Sequence, residues 1–275
     1  MKQFLVKNKL MYVLPIIVFL GFTIWWFYLR NFDVSLTRNG RQLWGATYQI
    51  FAFYGVIVGT FIAYKWGGHK SLLGRAILAF SIGLFLQCFG QSYSSYYVFH
   101  YHVESPSYPG IGDIGFFGSV IAYIYGVILL SKVSGAGFSL KKIKNKIWIT
   151  IIALMMAWVS YHFFLQGYQF DWSNKLKVFL DFGYPIGQAI YVSIAIMTLI
   201  ISKDTLGGIM KTSILFLIFA LLFQYFSDFF FLYQANAGVW YVGNINDYLY
   251  SASYLIMSLS LIDMGFAFNK IKEKK

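Results

Sequence analysis

Apolar residues in this chain run in long blocks instead of alternating with polar ones. Eight blocks, near 10–30, 43–65, 76–99, 114–133, 147–167, 178–202, 212–233 and 247–268, are apolar over most of their length. A helix rises about 1.5 Å per residue, so about 20 residues cross the roughly 30 Å of bilayer hydrocarbon. The pattern predicts an all-α polytopic membrane protein of eight transmembrane helices. The longest connection, from Ser134 to Lys146, leaves no room for a soluble domain. Residues 1–275 therefore read as a single membrane domain.

Composition agrees and then adds sidedness. The 275 residues are 59% hydrophobic and 12% charged, against about 25% charged in soluble domains. The net charge is +12, which alone is compatible with nucleic acid or an anionic lipid surface. Position along the chain decides between them. With the N-terminus in the cytoplasm, the inner segments hold Lys2, Lys7, Lys9, Lys65, Lys70, Arg75, Lys132, Lys141, Lys142, Lys144, Lys146, Lys203, Lys211, Lys270, Lys272, Lys274 and Lys275. The outer segments hold Arg30, Arg38, Arg41, Lys175 and Lys177. This bias predicts both termini inside, a multi-pass protein of the cell (plasma) membrane, and the lipid bilayer as a partner. No basic stripe remains for nucleic acid. Trp25, Trp26, Phe27 and Tyr28 follow the first block where a signal peptidase would need small residues, so that block reads as an uncleaved anchor. One cysteine, Cys88, excludes an intramolecular disulfide framework and any cysteine-cluster metal site.

Spans 3–4 and 7–8 look alike. Ile77-Leu78, Gln87 and Gln91 match Ile214-Leu215, Gln224 and Asp228 at a constant offset of 137. Asp113 and Asp247 then open the following spans. The expectation is a parallel 4+4 internal repeat, with halves 1–140 and 141–275.

Ionisable groups inside a bilayer are rare, costing about 2.5–3.5 kcal/mol each at mid-depth on insertion scales. Here they gather toward one end. Gln87 and Gln91 lie one turn apart in span 3, ahead of His100 and His102. Trp158, His162 and Gln166 follow at i, i+4 and i+8 in span 5. Asp181, Tyr184 and Gln188 open span 6, and Gln224 and Asp228 share a face of span 7. With Trp240, Tyr241, Tyr93, Tyr96 and Tyr97 as walls, these predict a polar pocket in the outer leaflet. The ligand-binding candidates are Gln91, His162, Asp181, Tyr184, Gln224, Asp228 and Trp240, with His100, Asp113 and Asp247 as further candidates. Plainer readings stand beside this one. Asp113 and Asp247 suit helix N-caps, the aromatic wealth suits an interfacial belt, and His100 and His102 suit a wet surface. Gly55/Gly59 and Gly183/Gly187 suit close helix packing.

Catalytic signatures are sparse. Gly110-Ile111-Gly112-Asp113 matches the GxGD signature of intramembrane aspartyl proteases, whose chemistry needs a second carboxylate. Upstream of Asp113 only Asp33 and Glu104 are acidic, both in predicted loops. No HExxH, GxxxxGK[ST] or GxSxG occurs, and spans 7 and 8 carry no mid-span lysine for a retinal. No cofactor or metal is expected, and nothing in the spacing demands an enzyme.

Another pattern covers about residues 74–265. Gly74-Arg75, Gly83, Gln87 and Gly90 precede the aromatic run Tyr93 to Tyr97. Pro106-Ser107-Tyr108-Pro109, Asp113, Phe116-Phe117 and Tyr123 follow. Then come Asp181 with Tyr184-Pro185, and Asp228, Tyr233, Gly238, Tyr241, Gly243, Asp247 and Tyr254. This resembles the multi-span membrane sensing module at the N-terminus of some bacterial diguanylate cyclases and sensor histidine kinases. Members commonly read PSxAD where this chain has Pro109-Gly110-Ile111-Gly112-Asp113, and often Asp where it has Gln91. The resemblance implies a sensor or receptor-like module taking a small-molecule ligand. With seven residues after span 8, the expectation is a signal passed to a separate cytoplasmic signalling protein. The competing expectation is a small-solute transporter built from two parallel repeats.

Overall fold

The computed structural model describes residues 2–31, 37–103, 106–134, 143–166, 168–205 and 210–273. The helices are α1 (Lys2–Asn31), α2 (Thr37–Thr47), α3 (Ile50–Lys65), α4 (Leu72–Tyr101), α5 (Ile111–Val133), α6 (Ile143–Ser160), α7 (Lys175–Thr205), α8 (Met210–Asn236) and α9 (Ile245–Glu273). Among the described residues, eight stretches are long and apolar enough to cross a membrane, as the hydropathy pattern predicts. This is a multi-pass arrangement suited to a lipid bilayer. Lys141, Lys142, Lys274, Lys275, Asp33 and Glu104, and the side chains of Lys2, Lys7, Lys9, Arg38 and Lys203, lie outside what is described.

The second span is not one straight helix. It runs Asn39–Lys65 and breaks at Tyr48-Gln49 between α2 and α3. The Gln49 side chain donates to the Ala46 carbonyl at 2.8 Å, satisfying an acceptor that the break frees. Span 5 ends in one turn of wider π helix, Tyr161–Leu165. Span 6, by contrast, continues unbroken through Pro185. Proline has no N–H to give the carbonyl four residues back, so the Asp181 carbonyl loses its helical partner beside the cavity described below.

Six transmembrane elements close a ring in the order α3, α4, α5, α7, α8, α9 and back to α3. The peripheral helices α1 and α6 pack on α9 and α7. Only 11% of the first span and 6% of the fifth are buried, against 72% of the eighth. Ile24, Leu154 and Trp158 on the peripheral helices face outward, where lipid would meet them.

Small residues set the closest approaches. At Gly55 an added methyl would overlap Ser258 and Leu84, and at Gly59 it would overlap Ser81 and Leu261. Gly183 and Gly187 meet Phe117 and Val120 in the same way. Both GxxxG pairs are thus packing sites. The aromatic-belt reading needs correction for two tryptophans. Trp26 and Trp44 are buried, and their indole N–H groups donate to Gly243 O (3.0 Å) and Phe22 O (3.1 Å). They tie α1 to the turn before α9 and to α2.

The two ends of the ring differ. Toward Lys65, Lys132, Lys211 and Lys270 the interior is packed with apolar side chains, Phe80, Leu84, Val127, Ile214, Leu217 and Leu261 being fully buried, and its buried polar groups include small hydroxyls such as Ser81, Ser193, Thr198 and Ser260. The buried carboxylates and amides gather at the other end.

Candidate functional site

At that end five of the six ring helices, α4, α5, α7, α8 and α9, border a cavity of about 620 Å³. Its walls come from the second halves of α4 and α8 and the first halves of α5, α7 and α9, with Tyr48 contributed by the break after α2. Seven of the ten candidates named from sequence line it: Gln91, Asp113, Asp181, Tyr184, Asp228, Trp240 and Asp247. Gln224 sits one shell behind, donating to Asp228 Oδ1 at 3.0 Å.

His162 and His100 do not join them. His162 lies in the π turn at the end of α6, exposed and stacked on Trp158 at 5.7 Å. Because α6 is peripheral, a histidine spaced one turn from Trp158 faces away from the bundle. His100 is exposed and stacks on Tyr96 at 5.2 Å. Of the expected walls, Tyr93 lines the cavity, whereas Tyr96 and Tyr241 face outward.

Asp228 anchors the floor. It is only 8% exposed. Its Oδ1 accepts from Tyr250 (2.9 Å) and Gln224 (3.0 Å), while Oδ2 receives only a long 3.4 Å contact from Tyr191. Beside it, Gln87 donates to Ser119 Oγ at 2.7 Å and accepts from Tyr254 at 3.0 Å, binding α4 to α5 and α9. A second buried amide–hydroxyl pair joins α9 to α8, Ser253 donating to Gln224 Oε1 at 2.6 Å. Gln91 donates to Gly45 O at 2.9 Å and so links α4 to α2.

Asp113 and Asp247 are not the N-caps they suit by position. Each sits at the third helical residue and reaches back. Asp113 Oδ2 accepts from Gly110 N at 2.8 Å, and Asp247 Oδ2 accepts from Gly243 N at 2.7 Å. The true cap of α9 is Asn244, whose Oδ1 accepts from Asn246 N at 2.8 Å. Asp113 keeps its other oxygen for Tyr184 (2.9 Å). Among the described residues no hydrogen bond to Asp247 Oδ1 is formed, and the buried Trp240 indole N–H at the cavity wall has no partner.

Asp181 forms the rim. It accepts from Tyr108 (2.7 Å) on one oxygen, and from Tyr168 (2.7 Å) and Lys177 (2.6 Å) on the other. The Lys177 ammonium also lies 5.9 Å and 5.5 Å from the Tyr108 and Tyr168 ring centres. Desolvation, and then the Asp181 carboxylate, push the Tyr168 phenol up to about 12 and raise Tyr108 as well. Nearby, hydrogen bonds from Ser173 hold exposed Asp171 below the ordinary carboxylate range.

Asp113, Asp181 and Asp228 each accept from their own tyrosines, and among the described residues no two of these carboxylates share a direct hydrogen bond. That differs from a proton-sharing aspartyl dyad. Among the described residues no three His, Cys, Asp or Glu converge as a metal site. Sequence reasoning passed over Tyr48, Tyr108, Tyr168, Lys177, Tyr250 and Tyr254 as site residues, and left Gln188 among the clustered polar residues. Spacing marks some of them: Gln188 follows Asp181 by seven residues, and Tyr250 and Tyr254 follow Asp247 by three and seven, each on the same helix face. No protein-family model, curated protein or solved structure matches this chain.

Proposed function

We propose that this chain is a sensor or receptor-like membrane module that takes a small ligand into an outer-leaflet pocket and signals to a separate cytoplasmic partner. The observation that carries the reading is a roomy, polar, aromatic-walled cavity at one end of a bundle whose other end is packed with apolar side chains and small hydroxyls. Ligand sites typically combine apolar walls with a few convergent polar groups in about 300–1,000 Å³. The positive-inside bias supports the cavity facing outward and both termini facing the cytoplasm. Five ring helices meet at the cavity, so an occupant that prefers one arrangement of the ring would shift the population of bundle states. The lysine-rich end would carry that shift to the partner.

A second reading, a small-solute transporter, draws on the arrangement of the ring. Within it, α3–α4–α5 and α7–α8–α9 are consecutive triplets joined at α5–α7 and α9–α3, and Gln87–Ser119 parallels Gln224–Ser253. We infer a duplication, with the cavity between its halves. The continuous helix through Pro185 and the packed opposite end weigh against a transport path.

Cysteine accessibility separates the two. In a Cys88→Ser background, single cysteines at Gln91 and Ser94 probe the cavity, and at Ser193 and Thr198 the packed end. In cells, the receptor reading expects an impermeant thiol reagent to label the first pair from outside and neither side to label the second pair. Cavity labelling from the cytoplasmic side, or labelling of Ser193→Cys from both sides, would replace it with the transporter.

A further inference from the structure

We propose that the ligand of this cavity is a protonated amine carrying an apolar body. The inference rests on the ligand-receiving role above and specifies its chemistry. Four aspartates, Asp113, Asp181, Asp228 and Asp247, line one cavity, and among its described lining residues the only basic side chain is Lys177. Lys177 is already committed to Asp181. Among the described residues, no basic group pairs with the other three carboxylates. A buried carboxylate without a cation is costly, so a positive charge entering from outside is favoured there over a neutral or negative one.

A second observation points the same way without invoking charge. Gln188 is 4% exposed and lines the cavity; no hydrogen bond joins its amide to a described residue, and its amide atoms are open to the cavity. Together with the under-used Asp228 Oδ2, its carbonyl offers acceptors to an N–H-bearing cation. Much of the remaining lining is aromatic, including Tyr48, Phe116, Tyr184, Phe231, Tyr250 and Tyr254. Such faces attract ammonium groups and bury apolar surface.

The rim already holds one alkylammonium in this manner. Lys177 Nζ rests on a carboxylate oxygen with two phenol rings within 6 Å. The deeper Asp228–Gln188 region repeats those ingredients without a lysine.

The test uses the full-length protein in nanodiscs and four probes of one shape: 2-phenylethylammonium, its trimethylammonium analogue, 2-phenylethanol and phenylacetate. Binding is read by tryptophan fluorescence and equilibrium dialysis. The expected result is 2-phenylethylammonium binding at least about tenfold tighter than the alcohol, the equivalent of ~1.4 kcal/mol, with phenylacetate weakest and the trimethyl analogue between. Asp228→Asn should reduce the amine-over-alcohol preference to under about threefold while alcohol binding persists, a change that misfolding would not produce. Gln188→Leu supplies an independent variant and should narrow the gap between the primary and trimethylated amines. Alcohol binding as tight as the amine, or phenylacetate binding tighter, would overturn the cation while leaving a ligand-receiving cavity. Binding of no amine up to millimolar concentration would also overturn it, and the cysteine-accessibility experiment judges the receptor role separately. Nanodiscs with and without phosphatidylethanolamine distinguish a lipid amine from a free one. Competition by that lipid assigns the same chemistry to a headgroup, and its absence assigns it to a soluble amine.

Discussion

The Gln87 node offers a quantitative test of what holds the ring together. Gln87 is 4% exposed; it donates to Ser119 on α5 and accepts from Tyr254 on α9. Gln87→Leu preserves the volume but removes both bonds. Interhelical hydrogen bonds in membrane proteins average about 0.6 kcal/mol each, so the two together contribute about 1.2 kcal/mol. The substitution also strands the buried Tyr254 hydroxyl, adding about 1–3 kcal/mol. The expected destabilisation is therefore roughly 2–4 kcal/mol. Tyr254→Phe alone should cost about 1 kcal/mol, since it leaves Gln87 its bond to Ser119. In the double variant both partners are apolar and nothing is stranded, so its cost should fall below the sum of the singles by about 1 kcal/mol. Equilibrium unfolding in mixed detergent micelles measures all three. A coupling within about 0.3 kcal/mol of zero would mean that the two side chains do not share a bond in the folded protein, and the node would have to be withdrawn.

Four further outcomes follow from the same structure. Gly83→Ala puts a methyl into the ring of buried Tyr123, with further ring carbons at 2.7 and 2.9 Å; it should cost about 1–3 kcal/mol. Gly21→Ala, with nothing within 4 Å, should be neutral or slightly stabilising, and thermal unfolding compares the two. Asp247→Ala removes the acceptor for the Gly243 N–H and should lower stability by about 1 kcal/mol, with Asn restoring part of it, as read by the same unfolding assay. Tyr168 has its phenol raised from 10.0 to about 12, so the folded chain keeps a proton that the unfolded chain releases near pH 10. That contribution is complete below pH 10 and is lost as pH rises through 12. Melting temperature against pH should therefore fall less steeply between pH 10 and 12 in Tyr168→Phe than in the parent; identical slopes would contradict the Tyr168–Asp181 bond.

How much of this was legible in the sequence depends on which signal each residue sends. The eight spans announce themselves by length, because backbone in hydrocarbon must bond to itself and an apolar block of about 20 residues has few other solutions. The cavity was readable in part for a related reason. A polar side chain in lipid is costly enough that those spaced one turn apart on α4, α7 and α8 must turn inward, and Gln91, Asp181 and Asp228 do. The same logic failed at His162. Its helix α6 is apolar all round, and lipid is as greasy as a protein interior, so no stripe of polar positions tells the inner face from the outer. Only the packing order, which leaves α6 on the periphery against α7, shows that a polar residue near its end faces outward. Trp26 and Trp44 failed in the opposite sense. Aromatics near a span end suit the interface, yet these two are buried, their indole N–H groups bonded to the Gly243 carbonyl before α9 and to the Phe22 carbonyl within α1. Tyr108 and Tyr168 carry no periodic signal because they lie in connections, and it is the fold that brings both to Asp181. Length and local spacing are written along one helix, whereas the choice of neighbour is a property of the ring. The rim of the cavity, assembled from two connections and the start of α7, is therefore the part that sequence reading was least able to reach.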